Sequence, residues 1–65
     1  MSYVYLMIND GGEWEDQVIF LEEEEAIKTS IQYPNCRIEI FGKKSDSGKY
    51  LPTYNYYKNG ELYNQ

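Results

Sequence analysis

Val18-Ile19-Phe20-Leu21, then Glu22 to Tyr33, then Pro34-Asn35, then Cys36-Arg37-Ile38-Glu39-Ile40-Phe41 is the stretch whose reading decides the fold. It reads strand, helix, turn, strand. Glu23, Ala26, Ile27, Ser30 and Ile31 recur at helical spacing and make a narrow stripe that can lie on a sheet. Glu24 and Lys28 stand four apart with the acid first, the order that favours an ion pair on the far side. Glu22 to Glu25 fill the first turn, where negative charge opposes the positive end of the helix dipole. No Ser, Thr, Asp or Asn occupies the cap, which predicts a frayed start. Pro34 disfavours the α region for Tyr33 and ends the helix there. Cys36, Ile38 and Ile40 then alternate with Arg37, Glu39 and Phe41, a period of two with one buried face.

Upstream, Tyr3-Val4-Tyr5-Leu6-Met7-Ile8 is a strand with both faces apolar, the mark of a central position. Asn9-Asp10-Gly11-Gly12 is a turn, and Gln17 to Leu21 returns antiparallel to the first strand. Downstream, the polar segment Gly42 to Lys49 is a loop. Tyr50 to Tyr57 is an aromatic strand in which Pro52 argues for an edge. Asn59-Gly60 predicts a type I′ hairpin, with Lys58 opposite Glu61, Tyr57 opposite Leu62 and Tyr56 opposite Tyr63. The expected fold is α+β. A mostly antiparallel sheet of four or five strands, ordered β-β-α-β-β-β, carries one helix on one face. Residues 1–65 make a single domain.

A chain of 65 residues buries a modest share of its surface, and mini-proteins usually add a disulfide, a metal or a partner. One cysteine excludes an internal disulfide, and without histidine Cys36 builds no zinc site. The longest apolar run, Tyr3 to Ile8, is too short to span a bilayer, and no secretory signal is visible. These features set the expectation of a soluble protein of the cytoplasm or a virion, with no membrane partner and no cofactor. Residues 1–36 hold eight acids and one base, residues 37–65 five bases and three acids, so −7 and +2 make up the net −5. Such asymmetry suits association with a copy or with a charged partner.

The strand Tyr3-Val4-Tyr5-Leu6, the segment Leu21-Glu22-Glu23-Glu24-Glu25-Ala26-Ile27 and the strand Arg37-Ile38-Glu39-Ile40-Phe41 together resemble small uncharacterised β-β-α-β domains of phages and large DNA viruses. The resemblance covers about residues 3–41 and leaves out the C-terminal tyrosine hairpin. It implies a viral or phage origin and carries no catalytic residue, because those domains have no assigned activity. Where they often have Ser at the helix cap, this chain has Leu21-Glu22.

One helix covers one sheet face. Val4, Leu6, Ile8, Val18, Phe20, Ile38 and Ile40 are assigned to it. Tyr3, Tyr5, Met7, Phe41 and some of Tyr54, Tyr56 and Tyr57 are left on the other, where an uncovered aromatic patch marks an interface. The expected function is therefore a non-catalytic protein-interaction or assembly module, a virus-encoded or minor virion component. Its interface would be Tyr3, Tyr5, Phe41, Tyr54 and Tyr56, meeting a protein partner or a second copy. The first alternative is an acidic inhibitor that blocks a basic groove through Asp10, Asp16 and Glu22, Glu23, Glu24 and Glu25. The second is single-stranded nucleic-acid binding, by tyrosines interleaved with Lys43, Lys44, Lys49 and Lys58. The net acidity works against it. An enzyme reading rests on carboxylates such as Asp10 and Asp16 whose separation nothing fixes. The oxygen-rich loop of Asp10, Glu13, Glu15 and Asp16 lacks EF-hand spacing. No catalytic, cofactor or metal residue is assigned.

Overall fold

A computed structural model describes residues 2–9 and 11–64. The fold is α+β: one helix and a five-stranded antiparallel open sheet. The strands are β1 (Ser2–Asn9), β2 (Val18–Phe20), β3 (Cys36–Lys43), β4 (Leu51–Lys58) and β5 (Glu61–Tyr63). The helix is α1 (Glu23–Gln32), and the sheet order is β2-β1-β3-β4-β5. β1 lies inside the sheet, as its two apolar faces predict. No helix among the described residues is long and apolar enough to cross a membrane.

Helix α1 starts and stops as its residues dictate. Glu22 is the cap residue and makes no side-chain cap bond, while Tyr33, held out of the helix by Pro34, donates its N–H to Thr29 O at 2.9 Å. Ala26 and Ser30 are buried and Ile27 packs beside them, but Ile31, at the end of the expected stripe, is exposed. Ser30 is buried without penalty because its hydroxyl is fully used. It donates to Ile27 O at 2.7 Å and accepts the Gly60 N–H at 2.9 Å, which ties the helix to the β4–β5 turn. The expected Glu24–Lys28 pair does not form; the one ion pair among the described residues is Arg37–Glu39. Two long solvated side chains gain too little from pairing to be fixed.

The hairpin forms as its sequence requires. Asn59 and Gly60 have φ of 52° and 81°, the left-handed pair a type I′ turn needs, and all three expected pairs stand opposite each other. Pro52 sits where β5 does not reach, since β5 pairs only with Tyr56 to Lys58. That half of β4 is an edge, where a missing N–H is harmless. The 13–16 segment, expected as an acidic loop or frayed strand end, forms a short 3-10 turn, Trp14–Asp16. Its Asp16 carboxylate accepts the Glu13 N–H at 3.2 Å.

Two larger features of the sheet also differ from expectation. The first is the facing of β1. Tyr5 pairs with Ile40 and Phe20, and Met7 with Ile38 and Val18. Partners in antiparallel strands share a face, so Tyr5 and Met7 point to the helix and Val4, Leu6 and Ile8 point away. The core is Tyr5, Ala26, Ile38, Ile40 and Tyr57, with Met7, Phe20 and Ile27 against it. The expected positions of Val18, Phe20, Ile38 and Ile40 hold; those of Val4, Leu6, Ile8, Tyr3, Tyr5 and Met7 are reversed, and Tyr57 belongs to the core. The cause is register. β1 has no polar face to declare its orientation, so it takes the orientation that pairing with the strongly alternating β3 imposes.

The second is a bulge in β4. Glu39 pairs with Tyr56 and Phe41 with Pro52, so Thr53, Tyr54 and Asn55 stand opposite Ile40 alone. Thr53 holds the loop of extra chain. Its hydroxyl donates to Ile40 O at 2.8 Å and accepts the Asn55 N–H at 3.2 Å. Tyr54 takes φ 68° there, a left-handed conformation that costs a bulky residue about 1–2 kcal/mol.

Candidate functional site

The helix-free face of the sheet is built from one row of each long strand. Val4 lies beside Phe41, Leu6 between Ile19 and Glu39, and Ile8 beside Arg37. Val4, Leu6, Ile19, Phe41 and Tyr50 line a shallow groove of about 220 Å³ whose lining is wholly apolar. Ile19 is 63% exposed and Tyr50 also stands in solvent, while Val4, Leu6, Ile8 and Phe41 are half-buried by their neighbours in the sheet. The row continues across β4 and β5 to Tyr56 and Tyr63, whose rings stack at 5.1 Å and 13°.

Charge stands within this face, because Arg37 and Glu39 lie on the central strand β3, with Glu39 between Leu6 and Tyr56. Arg37 Nε meets Glu39 Oε2 at 2.6 Å, and Lys43 Nζ lies 5.3 Å from the centre of the Tyr50 ring. The aliphatic groove on β1, β2 and Phe41 is therefore divided from the stacked Tyr56 and Tyr63 by the Arg37–Glu39 pair.

The expected interface residues divide between the two sides. Phe41 and Tyr56 belong to the helix-free face. Tyr5 is buried under the helix, and Tyr3 lies on the same side as Tyr5, 45% exposed. Tyr54 is exposed at the bulge. The interface set of Tyr3, Tyr5, Phe41, Tyr54 and Tyr56 is therefore not one surface, for the register reason given above. The face missed Val4, Leu6, Ile8, Ile19, Tyr50 and Tyr63. The signal that would have found the first three is the alternation of β3, carried across the β1–β3 register.

The acidic residues are placed as follows. Glu22, Glu23, Glu24 and Glu25 are all exposed at the start of α1, and Asp16 is exposed in the 3-10 turn. Asp10 lies outside the described residues. Glu23 alone among the helix glutamates bonds to a side chain, accepting the Tyr57 hydroxyl at 2.7 Å. Of the lysine–tyrosine set, Tyr57 is in the core and Lys58 Nζ donates to Pro34 O at 2.9 Å. The buried Cys36 thiol is taken up by the Asn9 side-chain oxygen.

Burial, then the Glu23 bond and charge, push the Tyr57 phenol up to about 12. Burial first, then the nearby Glu23, raises Tyr5 as well. On β5, the charge of Glu61 raises Tyr63. All three phenols therefore stay protonated through neutral pH.

No protein-family model, curated protein or solved structure matches the chain.

Proposed function

We propose that this chain is a non-catalytic assembly module whose working surface is the helix-free sheet face, and that the partner is a second copy of the chain. The observation that carries this reading is the contiguous apolar row of Val4, Leu6, Ile8, Ile19 and Phe41 opposite the helix.

Charge placement favours a copy as the occupant. The face carries Arg37, Glu39 and Lys43, so both signs are present and a two-fold arrangement can match them. The acids Glu22 to Glu25 ride on the helix layer. Face-to-face pairing therefore keeps the two acidic helices on opposite outer surfaces. The edge strands β2 and β5 have three residues each, and the free half of β4 carries Pro52 and the bulge, so no long flat edge is left to template strand addition. Two sheets meeting face to face, about 10 Å apart, is the geometry the patch fits.

The pattern over residues 3–41 that resembles domains of phages and large DNA viruses is the sole ground for reading the module as virus-encoded. The interface reading does not depend on it.

The test is sedimentation of the wild-type chain and of the double variant Leu6→Ser, Ile19→Ser. The expected result is a wild-type dimer and a monomeric variant that keeps its circular dichroism spectrum. If the double variant fails to fold, Ile19→Lys repeats the test, because that side chain is largely solvated and touches none of the helix-side core. A variant that remains dimeric would overturn the reading.

A further inference from the structure

A cleft of about 210 Å³ opens on the helix side of the sheet, lined by Tyr3, Tyr5, Glu23, Thr53, Tyr57 and Leu62 among others. It takes no part in the proposed interface and lies on the opposite face. We propose that it binds the head group of an organic ammonium ion, carried either by a free amine or by a lysine side chain.

The argument starts from the rings. Tyr5 and Tyr57 stand 6.5 Å apart between centres with planes inclined at 44°, and Tyr3 adds a third ring at the mouth. A cation is attracted to an aromatic face within about 6 Å of its centre. Tyr5 and Tyr57 line the cleft from the core and Tyr3 from its exposed position, so a cation seated there lies among three rings. Glu23 supplies the charge. Its carboxylate accepts the Tyr57 hydroxyl at 2.7 Å, which fixes it at the cleft, and no cation neutralises it among the described residues. Glu22, Glu24 and Glu25 flank it in sequence, and among the described residues no Lys or Arg lines the cleft.

Other ligand classes fit less well. An anion would meet the Glu23 carboxylate and its acidic neighbours. A hard divalent cation wants six or more oxygen ligands, and one carboxylate with phenols and a hydroxyl is a poor set. The volume falls below the roughly 300 Å³ at which sites for whole drug-sized molecules begin, so it suits a head group. The wall opposite the helix is the β4 bulge. Thr53 and Asn55 face the cleft there, and Tyr54 between them holds its strained φ of 68°. Bulges and strained residues concentrate where a side chain has been re-aimed toward a site.

The test is a nuclear magnetic resonance titration of the full chain at fixed ionic strength. The probes are choline, butylammonium and the neutral carbon isostere of choline. The expected result is saturable shifts confined to the neighbourhood of Tyr3, Tyr5, Glu23, Thr53 and Tyr57 with a cationic probe. The isostere should bind about fivefold more weakly or worse. Glu23→Gln keeps a carbonyl to accept the Tyr57 hydroxyl and should weaken the cation by a similar factor, while Glu24→Gln should not. Tyr3→Leu, at a half-solvated position outside the core, should also weaken it. Choline binding the tighter points to a quaternary amine, and butylammonium the tighter to a primary amine such as a lysine side chain; either supports the proposal. Shifts that do not saturate, an isostere that binds as well as choline, or affinity unchanged in Glu23→Gln would overturn it.

Discussion

On the helix side of the sheet Tyr5, Ile38, Ile40 and Tyr57 close beneath Ala26, Ser30 and Ile27. On the other side Val4, Leu6, Ile19 and Phe41 occupy the intervening register positions, and among the described residues no element covers them. Both rows are apolar, and they differ in what lies above them. A ten-residue helix can shield only the middle of a five-stranded sheet on one side. Hydrophobicity alone therefore does not separate the residues that hold the fold from those available for contact. The helix side holds the core of the chain, and the open side is the surface proposed for association.

The largest effect should come from breaking the helix side. Ile38 is fully buried at the centre of the core, and Ile38→Ala should cost about 2–5 kcal/mol. A domain of 65 residues has roughly 3–10 kcal/mol in total, so the variant should be largely unfolded or close to it. Urea unfolding followed by circular dichroism reads this directly. A loss well under 1 kcal/mol would mean that Ile38 is not the centre of the core. By contrast, the open-face change Leu6→Ser should act mainly on mass in solution.

A smaller effect is expected at the bulge. Tyr54→Gly removes the steric cost of a positive φ and should stabilise the chain by about 1 kcal/mol, seen as a higher urea midpoint. A lower midpoint would show that the Tyr54 side chain makes a contact worth more than its strain.

The last expectation concerns pH. The Tyr57 phenol is raised by its burial and by Glu23 from the usual 10 to about 12 in the folded chain. The unfolded chain releases that proton first. The stability contributed by neutral Tyr57 is thus whole below pH 10 and is lost as pH rises through about 12. Alkaline difference spectroscopy should show Tyr57 among the late-titrating tyrosines, with Tyr5 and Tyr63 also raised, and Glu23→Gln should bring Tyr57 earlier. If Tyr57 titrates with the exposed tyrosines in the wild type, the Tyr57–Glu23 bond is absent in solution.

How much of this was legible in the sequence depended on whether a segment carried a polar face. β3 alternates strictly, so its buried side could be read. The helix ran within a residue of its expected limits because Pro34 and the glutamate run punctuate it. Asn59-Gly60 fixed the hairpin and its register. β1 carried apolar residues on both faces, so its central position was legible and its orientation was not. That single ambiguity moved Tyr3 and Tyr5 to the wrong side and hid the aliphatic face. The bulge was illegible for a different reason. Thr53-Tyr54-Asn55 contains no glycine to announce a left-handed residue, and the extra chain is held by a hydroxyl bond to Ile40 on a neighbouring strand. The cleft depends on that bulge and on the reversed facing of β1, so it could not be assembled from the sequence.

The most direct test of the central claim is the solution mass of the wild-type chain by light scattering after gel filtration, at low and at high salt. Association through an apolar face predicts twice 7.7 kDa at both ionic strengths. A monomer at both, or a dimer that salt dissolves, would contradict it.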